Sequence, residues 1–237
     1  HFLQVVWGRY FFMLLITVVI SYFFFRKYLI KPNNITIQII RSFLLFITTI
    51  LFFYSISIIS LPEALTLAFI SPIVVTVFSI ILLKEKVGLH RWIAVITGFL
   101  GVLIVMRPGF NEINLATLSA LFAGIIYALF IIYTRKLSFT DSPFVTLIFT
   151  SIVGSVLISL IVPFYWINLN FNQILLLILL ASIGSLGHFL IILSLQIGEA
   201  SKLSPLGYFE IITNIFVSYA FFGYLGDFYI YTGLILI

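Results

Sequence analysis

Glu210 stands inside a long apolar stretch, between Phe209 and Ile211, and is the most conspicuous candidate for chemistry in the sequence. A charged side chain at mid-span costs about 2.5–3.5 kcal/mol on insertion scales, so such residues tend to face a cavity, a partner or a proton path. Glu210 could therefore exchange a proton or pair with a cationic group. The competing reading is a protonated carboxyl tied to a neighbouring helix. Asn214, one turn further along the same face, could hydrogen-bond Glu210 or a bound solute. His188 has Gly184 and Gly187 beside it. An imidazole changes charge near neutral pH and could relay protons, but the small neighbours favour a neutral histidine packed where helices approach closely. Arg9 could snorkel to the membrane surface, or face a cavity as the partner of Glu210 or of an anionic solute.

Pro72 and Pro205 fall inside apolar stretches. A proline there frees a backbone carbonyl and kinks the helix, which in a membrane is tolerated where neighbours or a cavity satisfy that carbonyl. The hydroxyls and phenols nearby, Ser71, Thr66, Ser204, Tyr208, Tyr54 and Tyr127, could line a polar site without the cost of a charge; each taken alone also fits ordinary packing. Glu85 among Lys84, Lys86 and Arg91 reads as a salt-bridged turn, and Glu63 and Glu199 as carboxylates at helix beginnings, where the dipole favours them. No His/Glu metal-ligand spacing, paired carboxylates or nucleophile motif is present, and no cofactor is expected. With zero cysteines, thiolate chemistry is excluded.

The elements that must position these residues follow from composition. The 237 residues are 63% hydrophobic and 8% charged, with a mean hydropathy of +1.29. Soluble domains carry about 25% charged residues, so a soluble enzyme and a DNA-binding domain are both excluded. A span needs roughly 20 apolar residues. Runs of that length are predicted at 3–25, 42–61, 63–83, 90–107, 115–134, 143–165, 173–195 and 200–222, with a truncated one from 228. Stretches such as Ile174 to Leu180 are apolar at every position, unlike the alternating strands of a membrane barrel. The fold class is all-α and polytopic. The chain begins at His1 without a Met, and Phe228 to Ile237 is half a span, so a fragment is expected.

The net charge of +5 reports orientation rather than nucleic-acid affinity. Arg26, Lys27, Lys31 and Arg41 bracket one connection, Lys84, Lys86 and Arg91 another, Arg135 and Lys136 a third, and Lys202 lies by a fourth. The alternate connections hold only Arg107. Ten of the 12 basic residues thus fall on one side, which the positive-inside rule assigns to the cytoplasm, with loops at 26–41, 84–91 and 135–141. Trp92, Tyr165 and Trp166 fit interfacial anchors.

Each half holds a similar segment. Tyr54-Ser55-Ile56-Ser57 leads through Pro62-Glu63-Ala64 into a span with Ser71-Pro72; Leu193-Ser194-Leu195-Gln196 leads through Glu199-Ala200 into a span with Pro205. An odd number of spans per unit makes this an inverted repeat, and paired proline-interrupted helices in such a repeat point to a secondary transporter. At these residues, with Phe69-Ile70-Ser71-Pro72, Leu83-Lys84-Glu85-Lys86, Gly98-Phe99-Leu100-Gly101, Arg107-Pro108-Gly109 and Ser204-Pro205-Leu206-Gly207-Tyr208, the chain resembles the ten-helix EamA group of the drug/metabolite transporter superfamily. Through Gln4-Val5-Val6-Trp7-Gly8-Arg9 it is most similar to the subgroup of S-adenosylmethionine, riboflavin and amino-acid carriers. The resemblance implies two inverted five-helix repeats, residues 1–110 and 111–237, with helix one missing and helix ten incomplete. One departure is Phe222-Gly223-Tyr224, where the family has Phe-Gly-Glu.

Three function classes compete. A channel would show rings of charge or a filter-like loop, and a membrane-embedded enzyme on a lipid-linked substrate would need a constellation the sequence lacks. A secondary transporter of a small polar or amphipathic metabolite, working by alternating access with its site between the repeats near mid-membrane, accounts for the pattern best. The bilayer and a small-molecule substrate are the partners this implies, in a bacterial inner membrane; proton coupling and a homodimer stay open.

Overall fold

A backbone in hydrocarbon must satisfy its own N–H and C=O groups, and this chain does so with helices. The computed structural model describes residues 1–25, 31–107, 114–223 and 228–236. Arg26, Lys27, Pro108, Gly109, Tyr224 and the turn at 224–227 lie outside the described residues. The helices are α1 (Phe2–Ile20, continued by a π turn over Ser21–Phe25), α2 (Ile35–Ile56), α3 (Leu61–Ala68), α4 (Ser71–Leu83), α5 (Leu89–Met106), α6 (Leu115–Leu137), α7 (Pro143–Ile161), α8 (Phe171–Ile197), α9 (Ala200–Leu203), α10 (Phe209–Phe222) and α11 (Phe228–Leu236). Short 3₁₀ turns cover Val162–Tyr165 and Ser204–Tyr208, and no strand occurs among the described residues. Seven helical stretches, 2–23, 35–56, 61–83, 89–106, 115–137, 143–165 and 171–197, are long and apolar enough to cross a membrane. The protein is an all-α polytopic membrane protein.

Two boundaries differ instructively from the sequence reading. The predicted span 42–61 is α2 from Ile35 to Ile56, so Arg41 is not a loop residue and the 26–41 connection ends by residue 34. Gln38 and Arg41 read as loop because they are polar, yet both side chains are fully buried, held by hydroxyls, a carboxylate and a carbonyl described below. The predicted span 200–222 is cut into pieces of 4, 5 and 14 residues.

The chain packs as two units. The first comprises His1–Phe53 with Tyr133–Ile197. Its core gathers Leu3, Val6, Tyr10, Phe46 and Ile158, with Met13, Leu147 and Ile192 adjoining Phe189. Close approach is bought by small residues, as membrane helices require: a Cβ on Gly154 would overlap the Tyr10 ring, and one on Gly8 would lie 2.7 Å from Leu177 Cδ1. Polar atoms pair across helices. Tyr10 Oη and Thr49 Oγ1 lie 3.0 Å apart, Thr17 and Ser151 share a hydrogen bond of 3.1 Å, Trp7 Nε1 donates to Ser159 Oγ, and Gln4 Nε2 donates to the Ile167 carbonyl at 2.6 Å.

The second unit comprises Tyr54–Ile132 with Gly198–Ile237. Phe69, Val102, Tyr208 and Ile211 form its buried cluster. α11 lies on α5 through Gly233, where a Cβ would meet Val105 and the Gly101 carbonyl, and α6 lies on the α3–α4 junction through Gly124, where a Cβ would meet the Ala68 carbonyl and Ile70.

Candidate functional site

Proline chemistry places the two interruptions in the second unit. Pro72 has no N–H, and its ring excludes the carbonyl four residues back. Ser60 Oγ caps the start of α3 by accepting from Glu63 N. That helix then closes with Phe69 N on Leu65 O at 2.8 Å and Ile70 N on Leu67 O at 3.2 Å, before α4 starts at Ser71 with Pro72 in its first turn. Pro205 acts similarly, turning Ser204–Tyr208 into a 3₁₀ segment between α9 and α10. Glu210 consequently sits in the first turn of α10, where a helix dipole favours a carboxylate.

The interruptions meet. A Cβ on Gly207 would lie 3.8 Å from Pro72 Cγ, and Thr76 Oγ1 and Ser204 Oγ are 3.0 Å apart. Ser71 and Pro72 are buried there. Tyr208 is 1% exposed, its ring 6.0 Å from that of Phe69 and so close to α5 that a Cβ on Gly98 would overlap it. Its hydroxyl is buried with no hydrogen-bond partner among the described residues, an arrangement that leaves a donor and acceptor for a solute or water. The Thr66 hydroxyl is taken by its own helix, donating to the Pro62 carbonyl at 2.8 Å. Tyr54 is half-buried, Tyr127 stacks on Phe130 with centroids 5.5 Å apart, and Glu210 and Asn214 are exposed.

Glu85 corrects the sequence reading. Its partners are not the neighbouring basic residues: its carboxylate accepts from Ala200 N (2.9 Å), Ser201 N (3.0 Å) and Ser201 Oγ (2.6 Å). It caps the start of the Pro205 helix. Arg91 reaches the same place, 2.6 Å from Glu199 and 2.7 Å from Ser201 Oγ; this guanidinium, with Lys202 in support, holds the Glu199 carboxyl below its ordinary range.

Arg9 and His188 lie in the first unit, whereas Glu210, considered as a partner for Arg9, belongs to the second. Arg9 Nη2 is 2.7 Å from His188 Nε2. The guanidinium can only donate, so Nε2 accepts and the ring proton belongs on Nδ1. The reading of His188 as a neutral, hydrogen-bonded residue fits this contact.

Sequence reasoning missed a buried network at the other end of α1's unit. Arg41 Nε donates to Thr134 Oγ1, and its Nη1 to the Thr146 carbonyl and Thr150 Oγ1, all at 2.8–2.9 Å. Gln38 Nε2 donates to Asp141 Oδ2 and Thr146 Oγ1, and Asn33 N to Asp141 Oδ1. The available signal was a polar stripe, Asn34, Gln38, Arg41/Ser42 and Thr49, at helical spacing through otherwise apolar residues.

Residues 1–107 match the EamA-like transporter family. An S-adenosylmethionine uptake transporter of Rickettsia bellii is 26% identical over 227 residues, covering 96% of this chain and 78% of that protein. A riboflavin transporter of Vibrio cholerae is 29% identical over 170 residues, 68% of this chain and 55% of that protein. A solved crystal structure shares the fold, with a TM-score of 0.80 at 14% identity over 99% of this chain and 83% of its own. These relatives are transporters, which sets aside the reading as a membrane-embedded enzyme. With the EamA-like transporter family matched by its first 107 residues and transporters aligned along 96% of its length, the chain is similar to transporters of that kind along nearly its whole length.

Proposed function

We propose that the chain carries a small polar or amphipathic metabolite, of the S-adenosylmethionine or amino-acid kind, across a bacterial cytoplasmic membrane by alternating access. The observation that carries this reading is the meeting of two proline-interrupted helices, one from each half of the sequence, at Pro72 and Gly207. Interrupted helices are where secondary transporters expose backbone groups and helix ends to a solute. Beside this crossing the buried Tyr208 hydroxyl waits without a partner among the described residues. The halves are inverted repeats, 1–110 and 111–237, and the connections at 84–91 and 135–141 face the cytoplasm with the one ending at residue 34. Glu210, an ionisable group in the first turn of α10, couples the cycle to protons or to a cationic group of the solute.

The test is flux into proteoliposomes loaded with buffer, using radiolabelled S-adenosylmethionine and competing amino acids and riboflavin. The reading expects saturable uptake that Tyr208→Phe weakens and Glu210→Gln uncouples from an imposed pH gradient. No flux above empty liposomes with any of these solutes would sink the transport reading as stated; normal flux and pH dependence in Glu210→Gln would remove the coupling role alone.

A further inference from the structure

Arg9 and one face of α8, Leu176, Leu179, Leu180, Ile183 and Gly184, line an open groove of about 390 Å³, in which Leu176, Leu179 and Ile183 are exposed. That volume lies in the range of small-molecule sites, which are mostly apolar with a few polar groups that fix orientation. Here the polar contribution is a guanidinium and the lining is aliphatic. α1 and α8 run parallel, since Gln4 bonds Ile167 just ahead of α8 while Met13 clusters with Ile192 near its end. Gly8 packs on Leu177, yet the next residue, Arg9, reaches to within 4.0 Å of where a Gly184 Cβ would be and to His188. Gly184 is the fourteenth of the 27 residues of α8, roughly 20 Å from its start at 1.5 Å per residue. The Arg9 side chain thus extends toward mid-helix, away from the start of α1 to which a snorkelling arginine would return.

A cation at that depth calls for an anion. Among the described residues no carboxylate lies within ion-pair distance of Arg9, and its hydrogen bond goes to an imidazole. One of five guanidinium donors is used there, leaving an N–H pair able to grip a carboxylate bidentately. A single cation balances a single negative charge, which favours a carboxylate over a dianionic phosphate. The aliphatic walls suit an alkyl body rather than a stacked heteroaromatic ring.

We propose that Arg9, oriented by His188, binds the carboxylate of a small amphipathic solute whose alkyl part occupies the Leu176–Gly184 face of α8. Within the transport reading this narrows the solute to a carboxylate with an alkyl body, the amino-acid kind over S-adenosylmethionine, and it depends on that reading only for the claim that the bound solute is carried. Arg9 is then the specificity-determining residue, and His188, which touches the guanidinium, is its positioning residue.

The experiment is binding calorimetry on the full chain in nanodiscs of neutral lipid, with octanoate and octanamide as a charged and an uncharged probe of one shape. Octanoate should bind at least tenfold more tightly than octanamide, and Arg9→Gln should bring the two within twofold, with Arg9→Lys keeping part of the preference. Equal binding of the two probes to the wild type, or a preference that survives Arg9→Gln, overturns the proposal. Should Arg9→Gln fail to fold, Ile183→Trp serves instead: filling the groove must cost octanoate at least tenfold, and unchanged affinity overturns the proposal. Oleate supplied within the nanodisc forms a second arm; a site that takes oleate and ignores octanoate is a lipid site, which also overturns it. Because binding is read without flux, absent transport with octanoate preference intact defeats the transport reading and leaves the Arg9 site standing.

Discussion

Gly154 is a glycine because the Tyr10 ring occupies the place its side chain would take. Tyr10 is 1% exposed and tied to Thr49 through its hydroxyl, so it cannot swing aside without breaking that bond and reopening the core around Val6 and Ile158. Gly154→Ala is therefore expected to cost about 1–3 kcal/mol, the usual range for overpacking, and to lower the melting temperature in detergent. Gly88→Ala is the control: nothing lies within 4 Å of its added Cβ and its φ of −81° suits any residue, so its melting curve should match the wild type. A pH-dependent residue effect belongs to Glu199. Its carboxyl titrates below the ordinary value of 4.5 because Arg91 hydrogen-bonds it. A depressed carboxylate stabilises the fold above the unfolded-state value and ceases to do so as pH falls through the folded one. Wild type and Glu199→Gln should thus differ in melting temperature at pH 7, by a small amount since the pair is solvent-screened, and converge once pH drops well under 4.5. A difference that grows with acidity would contradict this. Arg41 shows why single residues mislead a hydropathy reading: counted as loop charge, it is instead 0% exposed inside α2, because Thr134, Thr146 and Thr150 supply from other helices the acceptors that its own neighbours lack.

At the scale of the element, the prolines were legible and their consequences less so. Pro72 and Pro205 announce interruptions from sequence alone, since a ring without an N–H acts locally. How far each helix departs from α geometry depends on contacts between elements. The 200–222 segment yields a turn of 4 residues and a 3₁₀ stretch of 5 before α10, and its first turn is held by Glu85, 115 positions earlier in the chain. No local signal links those positions. The free N–H groups of a helix start need acceptors, and a carboxylate engaging two of them plus a hydroxyl resembles a capping residue supplied from elsewhere in the chain. Glu85→Ala should cost about 0.5–2 kcal/mol, the range for losing a cap, seen as a lower melting temperature. Lys86→Ala, one residue on and exposed, should leave it unchanged. Equal losses in both variants would mean that turn charge, rather than the cap, matters.

At the scale of the whole molecule, packing follows a different division from sequence order. The first unit takes both the start of the chain and residues 133–197, and the second takes 54–132 together with the end. The number and order of most spans could be read from apolar runs because the bilayer sets their length, whereas the grouping of helices could not, because interfaces made by Gly8, Gly98, Gly124 and Gly154 depend on which helix lies opposite. The candidate site was legible only residue by residue: Pro72 and Ser204 stand out as types in the sequence, but that Ser204 pairs with Thr76 and that Gly207 lies against Pro72 depends on which helix lies opposite, as does the Arg9–His188 contact, which joins residues 179 positions apart. Orientation remains a property of the whole chain, and the absence of cysteine from all 237 residues makes it directly measurable. The proposed cytoplasmic side holds the exposed positions Gly88 and Thr140; the opposite side holds exposed Asn168, in the connection between α7 and α8. In intact cells expressing Gly88→Cys, Thr140→Cys or Asn168→Cys, a membrane-impermeant maleimide should label Asn168→Cys alone, and the other two should react only after permeabilisation. Labelling of Gly88→Cys and Thr140→Cys in intact cells with Asn168→Cys protected would invert the assignment. A mixed pattern, with Gly88→Cys and Thr140→Cys on opposite sides, would overturn the alternation itself, because α5 and α6 place an even number of crossings between them.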